Sequence, residues 1–139
     1  MATKITIDLG AIDKAIEKAQ GNVRSATAIE MAVLALAVDD AVVSATPVDT
    51  GRARGNWIPS INTPVEQADP NRLDPGGSLG RQAMQAALAS FKAGDTVCLT
   101  NNIAYIGRLN DGSSRQAPAG FVDKAVQAAR AATRQRRVL

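Results

Sequence analysis

The chain has 139 residues, a formal net charge of +3 and an apolar fraction of 45%, which suits one domain with a single hydrophobic core. It contains no histidine and one cysteine, so histidine-based catalytic triads, zincin-type metal sites and an internal disulfide are excluded. We expect no metal and no cofactor, and a reducing compartment suits the cysteine content. The N-terminal segment lacks a signal-peptide pattern, and the longest apolar run, Met31 to Val38, is too short to span a membrane.

The core is expected to be thin, because 26 residues are alanine and only four are aromatic. Small side chains favour close helix packing and further burial against partners. The charge is unevenly placed: residues 1–50 carry four basic and seven acidic side chains, whereas residues 121–139 carry five and one. Such polarity can indicate nucleic-acid binding, head-to-tail stacking of subunits, or simply a solvated basic tail.

The first part of the chain is predicted to contain an arm, two helices and a strand. Alternating apolar and polar residues within 1–10 indicate a short strand or extended arm, and apolar residues at helical spacing over 9–21 indicate a short helix. Residues 23–45 predict a helix of about six turns whose middle is apolar all round, which is typical of a central, buried helix. This helix should end before Pro47, because proline disfavours helical geometry in the residue that precedes it. A strand is expected over 53–61.

Two long loops are predicted. Residues 62–77 contain three prolines and two glycines and show no periodicity. A structureless connection of this length is usually functional or mobile, so we expect this loop either to become ordered against a neighbouring molecule or to be flexible. A second loop, rich in glycine and serine, is expected over 110–118.

The remaining elements are two helices and one strand. Apolar spacing predicts a helix over 78–94, capped by Ser78 and ended by a glycine. Residues 95–100 alternate and predict a strand half-covered by helices. The last helix is expected over 119–136. These elements predict a single α+β domain over the whole chain, in which the long central helix and the C-terminal helix pack on a small antiparallel sheet.

Two side-chain features are interpreted as structural rather than catalytic. Cys98 is expected to be a small packing residue, because no base accompanies it. Asp39 and Asp40 are adjacent carboxylates, but neighbours on a helix point about 100 degrees apart and do not share a site. We expect both to be solvated or to cap, and we expect no enzymatic activity.

The first informative motif is TPVDTGRARGNW at 46–57, which is typical of a tight joint between a helix and a strand. Its proline fixes one backbone angle, Asp49 can bond its own backbone two residues on, and Gly51 can adopt a positive φ. Arg52 and Arg54, at strand spacing, would project from the same side. From the residues alone, a turn with two solvated arginines fits equally.

The second motif is NNIAYIGRLNDGSSRQAPAGFV at 101–122. Tyr105 has an apolar ring with a polar tip, and Pro118 suits the start of the last helix. The stretch 111–114 between them is expected to be flexible. From the residues alone, this motif indicates a mobile surface loop between two packed anchors.

The order of the two motifs matches a known pattern. A long helix ending in a P-V-D-T-G-x-x-R turn, a strand, an N…Y…L stretch and a Q-A-P-A-G segment before a terminal helix resembles the tail-completion proteins of long-tailed bacteriophages. These are also known as minor tail or head-to-tail joining components. The resemblance extends from about Ile5 to the C-terminus. In that family an acidic residue commonly follows the leucine of the second motif, whereas this chain has Asn110, and the 62–77 loop is longer than in the family core.

The resemblance implies a structural virion protein that forms a hexameric ring in the neck or at the top of the tail tube, assembled in the host cytoplasm. A tail terminator or a head-closure connector ring is the alternative within the same class. The implied partners are further copies of the chain, tail tube or terminator proteins and head-closure connector proteins, with non-specific contact with channel DNA and no membrane. We expect the elaborate polar turns of both motifs to lie at contacts between subunits or rings. The residues concerned are Asp49, Thr50, Gly51, Arg52, Arg54, Tyr105, Gly112, Ser114, Gln116 and Pro118.

The basic end of the chain, including the tail at 134–139, supports a further expectation. Its arginines are expected to face either DNA in the channel or an acidic partner ring: Arg130, Arg134, Arg136 and Arg137. The main rival is a basic nucleic-acid-binding module, because such a stripe could neutralise several phosphates. This rival lacks a recognisable reader motif and an aromatic stacking platform.

Overall fold

The computed structural model describes most of the chain, namely residues 4–8, 24–92 and 94–138, with side chains over 4–7, 29–92 and 94–133. The elements in these ranges are, in chain order, β1 (Ile5–Asp8), α1 (Arg24–Ala45), α2 (Arg52–Gly55), β2 (Ile58–Ile61), α3 (Ser78–Leu88), β3 (Val97–Asn101), α4 (Ile106–Asn110) and α5 (Phe121–Val138). The helix predicted over 9–21 lies outside the described residues. In the described part, no helix has the length and apolar character needed to cross a membrane.

The strands form one antiparallel sheet in the order β1-β3-β2. The alternating arm at the start of the chain is thus a strand, as predicted, and it pairs with β3 so that Ile7 lies opposite Leu99. Pro59 lies opposite the same leucine from β2. Proline is tolerated there because β2 is an edge strand that need not donate on its outer side. All five residues of β3 are buried, Cys98 among them, so the prediction of a half-covered strand was wrong. β3 is the central strand of the sheet, with β1 along one edge and β2 along the other.

The long helix α1 is central, as its apolar sequence predicts. It packs along α5 and also contacts α3. These helices share one hydrophobic core with the sheet, and Trp57, Met84 and Phe121 are its largest fully buried apolar side chains. The predicted α+β fold is confirmed. The buried apolar residues of α1 are Met31, Leu34, Ala35, Val38, Val42 and Val43.

The strand predicted over 53–61 was half wrong. The strand begins only at Ile58, and the preceding residues form the short helix α2. A backbone hydrogen bond of 2.8 Å from the Gly55 amide to the Gly51 carbonyl closes this turn. Because residues two apart on a helix lie about 200 degrees apart, Arg52 and Arg54 do not project from the same side.

The loop over 62–77 contains no helix or strand, as predicted, but it packs on its own chain. The Asn56 side chain donates to the Asp69 carbonyl at 2.9 Å and accepts from the Asp69 amide at 2.8 Å. The Arg72 Nε donates to the Gly55 carbonyl at 2.7 Å. The loop is therefore ordered by contacts within its own chain, and no neighbouring molecule is needed to order it.

Asp74, and not Ser78, caps α3. Its carboxylate accepts from the amides of Gly77 and Gly80 at 3.0 and 3.2 Å, which satisfies donors that a helix start leaves free. Gly77 precedes the helix with a φ of 85°. The helix ends at Leu88, earlier than predicted, and a turn follows.

The last part of the chain differs from prediction mainly in its boundaries. The segment before the second loop folds as the short helix α4, and α5 begins two residues later than predicted, at Phe121. On α5, Val122, Ala125 and Ala129 are buried, whereas Ala132 is exposed.

The adjacent carboxylates of α1 lie in different surroundings. Asp40 is half-exposed and pairs with Arg81 of α3. Asp39 is 1% exposed, so the expectation that it is solvated or capping was wrong. It follows the buried Ala35 by four residues and precedes the buried Val42 by three, a spacing that places all three on one helix face.

Candidate functional site

The turn after α1 is anchored directly on the core. The Thr46 hydroxyl donates to the Val42 carbonyl at 2.7 Å and accepts from the indole Nε1 of Trp57 at 2.8 Å. Trp57 is fully buried. The first motif therefore begins from a fixed point.

Gly51 gives this turn its direction. Its φ is 89°, and a Cβ at this position would lie 2.5 Å from the Pro75 nitrogen. The Gly51 carbonyl accepts from the Asp74 amide at 3.0 Å as well as from α2. Only glycine combines this conformation with so close an approach to the 62–77 loop.

Thr50 makes the local hydrogen bond that was predicted for Asp49. Its hydroxyl accepts from the Arg52 amide at 3.3 Å. Among the described residues, the side chains of Asp49 and Arg52 have no hydrogen-bond or ion-pair partner, and both are exposed. The rim of the turn thus presents one carboxylate and one guanidinium that the fold does not use.

The second motif is held at both ends by its own polar groups. The side-chain oxygen of Asn110 accepts from the Val122 amide at 3.1 Å, and the main-chain carbonyl of Asn110 accepts from the Gly120 amide at 2.6 Å. Asn110 therefore caps α5. Within the loop, the Ser114 hydroxyl accepts from the Gln116 amide at 3.1 Å. The loop that the sequence predicted to be mobile is therefore braced across its base.

Gln116 joins the two motifs. Its Oε1 accepts from the Val48 amide and its Nε2 donates to the Val48 carbonyl, each at 2.8 Å. A side-chain amide here completes both backbone groups of one residue, as a neighbouring strand would. The contact spans 68 residues of sequence.

A pocket of about 150 Å³ lies between the joined motifs. Tyr105 forms part of its wall with its ring 37% exposed. The pocket has the size of one side chain, and its rim offers a carboxylate, a guanidinium, hydroxyls and an aromatic face. Such a set suits recognition of a protein segment by hydrogen bonds and apolar contact. The lining residues are Pro47, Val48, Asp49, Thr50, Gly51, Arg52, Ala53, Tyr105, Leu109, Ser114 and Gln116.

Most of the predicted interface residues line this one pocket, although they come from two distant stretches of sequence. Gly112 and Pro118 belong to the second loop but do not line it, and Arg54 points away from it. The residues that do line it are Asp49, Thr50, Gly51, Arg52, Tyr105, Ser114 and Gln116.

Arg54 serves the fold. Its Nη1 donates to the Pro75 carbonyl at 2.6 Å, and its Nη2 donates to the carbonyls of Ser44 and Thr46 at 3.2 and 3.0 Å. A cation at the C-terminal carbonyls of α1 also complements the helix dipole. This guanidinium ties the end of α1 to the 62–77 loop, so it is not presented to a partner as expected.

Sequence reasoning missed some of the pocket and the cap. Pro47, Val48, Ala53 and Leu109 line the pocket but were not among the predicted site residues. Pro47 and Val48 stand in the same motif, which was the available signal. The role of Asn110 had no local signal, because Asn110 lies at the end of α4 and the helix that it caps begins at Phe121.

The arginines of the last helix lie outside the pocket. Arg130 is half-buried, and its Nε is buried without a hydrogen-bond partner among the described residues. Arg134, Arg136 and Arg137 lie on α5 beyond the described side chains.

No family model, no curated protein and no solved structure matches this chain.

Proposed function

We propose that this chain is a structural virion protein that completes a bacteriophage tail at the head-to-tail junction, as one subunit of a hexameric ring. The observation that carries this proposal is that the two motifs responsible for the resemblance meet at one exposed pocket. The exposed charged side chains that line this pocket have no partner among the described residues, as is expected of a surface that contacts another molecule.

The build of the pocket supports a docking role. Gln116 fixes one wall to the other, and the core-anchored Trp57 and Thr46 hold the turn beneath. A surface that is ordered before binding loses little conformational entropy when a partner arrives. The side chains left unpaired at the rim, Asp49 and Arg52, are then free to select that partner.

The placement of the basic helix end fits a ring. Gln116 precedes α5 and pairs with Val48, just after α1, so the two packed helices run roughly antiparallel. The arginines at 134–137 therefore lie about 20–25 Å from the pocket end of α5, given the rise per helical residue. A closed ring needs two different patches on each subunit, and a polar molecule with separate ends supplies them.

Assembly can be tested with two pocket variants and a matched control. Arg52→Ala and Tyr105→Ala remove side chains that line the pocket, whereas Lys124→Ala removes an exposed positive charge on α5. If the proposal holds, the first two variants fold normally but fail to join tails to heads, and Lys124→Ala joins them normally. Normal joining by both pocket variants would refute a role for this surface.

Electron microscopy of particles assembled without this protein tests its place in the virion. Free tails beside full heads would support a joining role, and tails of irregular length would instead indicate a terminator. The mass of the purified protein in solution would distinguish a preformed hexamer from a monomer that assembles on the tail.

DNA binding is the rival outcome. A nucleic-acid-binding module would bind DNA with an affinity that falls steeply between two salt concentrations. A subunit that only lines a channel should bind weakly and without sequence preference. Tight binding at physiological salt would overturn the structural proposal.

A further inference from the structure

Asp39 is a buried carboxyl group for which the fold provides no hydrogen bond. Neither of its oxygens has a partner among the described residues, and the side chain is 1% exposed. It extends from α1 toward α3, where a Cβ added to Gly80 would lie 3.8 Å from both oxygens. Glycine at that position allows the carboxyl group to come this close to the α3 backbone.

Several donors near Asp39 are already occupied. The amides at the start of α3, Gly77 and Gly80, donate to Asp74, which is itself buried. The Arg81 guanidinium pairs with the neighbouring Asp40. The Nη2 of Arg72 in the 62–77 loop is also buried without a partner among the described residues, but it makes no hydrogen bond to Asp39.

The charges around Asp39 come from each element packed against it. Asp40 of α1 and Asp74 of the 62–77 loop are acidic, and Arg81 of α3 and Arg72 of the loop are basic. Burial, the largest effect, and then the charge of Asp40 raise the pKa of Asp39 to about 7. An ionised carboxylate without a hydrogen bond is very unfavourable in such surroundings, so the packed junction favours the neutral acid.

We propose that Asp39 is a proton-sensitive latch: its neutral form allows α3 and the 62–77 loop to stay packed on α1, and its ionisation favours their separation from α1. Separation lets water solvate the carboxylate. The loop braces the pocket through Gly51 and Arg54, so undocking would loosen the pocket as well. This inference stands independently of the tail-completion proposal, because it depends only on contacts within one chain.

The sign and size of the effect follow from proton linkage. A folded-state pKa above the ordinary value of 3.8 means that the docked state binds the proton more tightly than the open state. Docking is therefore strongest below about pH 4 and weakens as the pH rises to about 7. The opening equilibrium constant should increase about 50-fold between pH 5 and pH 7 and change little above pH 8.

Native-state hydrogen exchange on the full chain tests this proposal. Opening constants for α3 amides, corrected for the intrinsic exchange rate, should rise with pH in the wild type and stay flat in Asp39→Asn. Asp40→Asn removes the neighbouring carboxylate and serves as the control, in which a smaller rise should persist because burial, the largest cause of the raised pKa of Asp39, remains. A flat wild-type profile, or a rise that survives in Asp39→Asn, would overturn the latch.

Two further readouts keep the test decisive. Amides of β3 open by unfolding of the whole chain, which also exposes Asp39, so their opening constants should rise with pH by the same factor. The α3 amides should nevertheless open with a larger constant than the β3 amides at every pH, and equal constants would mean that ionisation unfolds the whole chain and not the α3 unit. Carbon NMR of the Asp39 carboxyl in the wild type needs no variant to fold. A titration midpoint near 7 would support the latch, and a midpoint near 4 would overturn it.

Discussion

Replacing Arg54 and Arg52 separately by alanine should distinguish a residue that holds the fold from one that faces a partner. Arg54→Ala removes donors to three carbonyls, those of Ser44, Thr46 and Pro75. A hydrogen bond with a charged donor contributes about 1.5–3 kcal/mol, and partial solvent exposure and a shared Nη2 lower the total here. We expect Arg54→Ala to lower the free energy of unfolding by about 2–3 kcal/mol. Arg52→Ala removes no intrachain bond of the side chain, so its effect should stay within about 0.5 kcal/mol.

Urea denaturation followed by fluorescence measures both effects. Trp57 is the only tryptophan and is fully buried, so its emission reports on the core next to the Arg54 site. Arg54→Lys should recover less than half of the loss, because an ammonium group cannot reach several carbonyls in the fork geometry of a guanidinium. Equal, small effects of Arg52→Ala and Arg54→Ala would refute the assignment of Arg54 to the scaffold.

Three further predictions concern other contacts of the fold. Asp39→Asn should raise stability at pH 8 by up to about 4 kcal/mol and abolish the loss of stability that the wild type shows from pH 4 to 7, as measured by denaturation at each pH. Gly55→Ala would place a Cβ 2.4 Å from a backbone oxygen of the 62–77 loop and should lower the free energy of unfolding by more than about 2 kcal/mol. Gly76→Ala adds a Cβ in open space and should lower it by less than about 0.5 kcal/mol in the same assay. Gln116→Ala breaks both bonds to Val48 and should cost about 1–2 kcal/mol and speed amide exchange at Val48; unchanged exchange there would argue against the join.

The elements that were predicted best from the sequence are those whose ends are determined by residues close to them in the sequence. Pro47 ends α1 within two residues, and the alternation in β1 and the apolar character of α1 are local patterns with one simple outcome. The α+β class and the central position of α1 followed from these. No contact between distant residues was needed for them.

The failures depend on contacts that span the chain. The segment from Arg52 has a strand-like pattern, but the hydrogen bond between the Gly51 carbonyl and the Asp74 amide helps to hold its start in a helical turn. Nothing near residue 52 in the sequence signals that bond. Arg54 was assigned to an interface for the same reason, since its carbonyl partner in the loop follows 21 residues later.

The candidate site was predictable as two sets of residues but not as one surface. Each motif contains turn chemistry that marks it as unusual, and most of the predicted residues line the pocket. That the two motifs meet depends on Gln116 and Val48, whose pairing spans 68 residues and matches one backbone amide and carbonyl with one side-chain amide. A single sequence carries no signal for such a pair.

The contacts also separate two kinds of residue within the two motifs. Gly51, Arg54 and Gln116 are each committed to bonds or close approaches within the chain, so their presence in the motif is explained by folding alone. Asp49 and Arg52 line the same pocket, yet the fold makes no use of their charged groups. Because the described fold does not use the charges of Asp49 and Arg52, the surface that these two side chains form is where a partner should be sought.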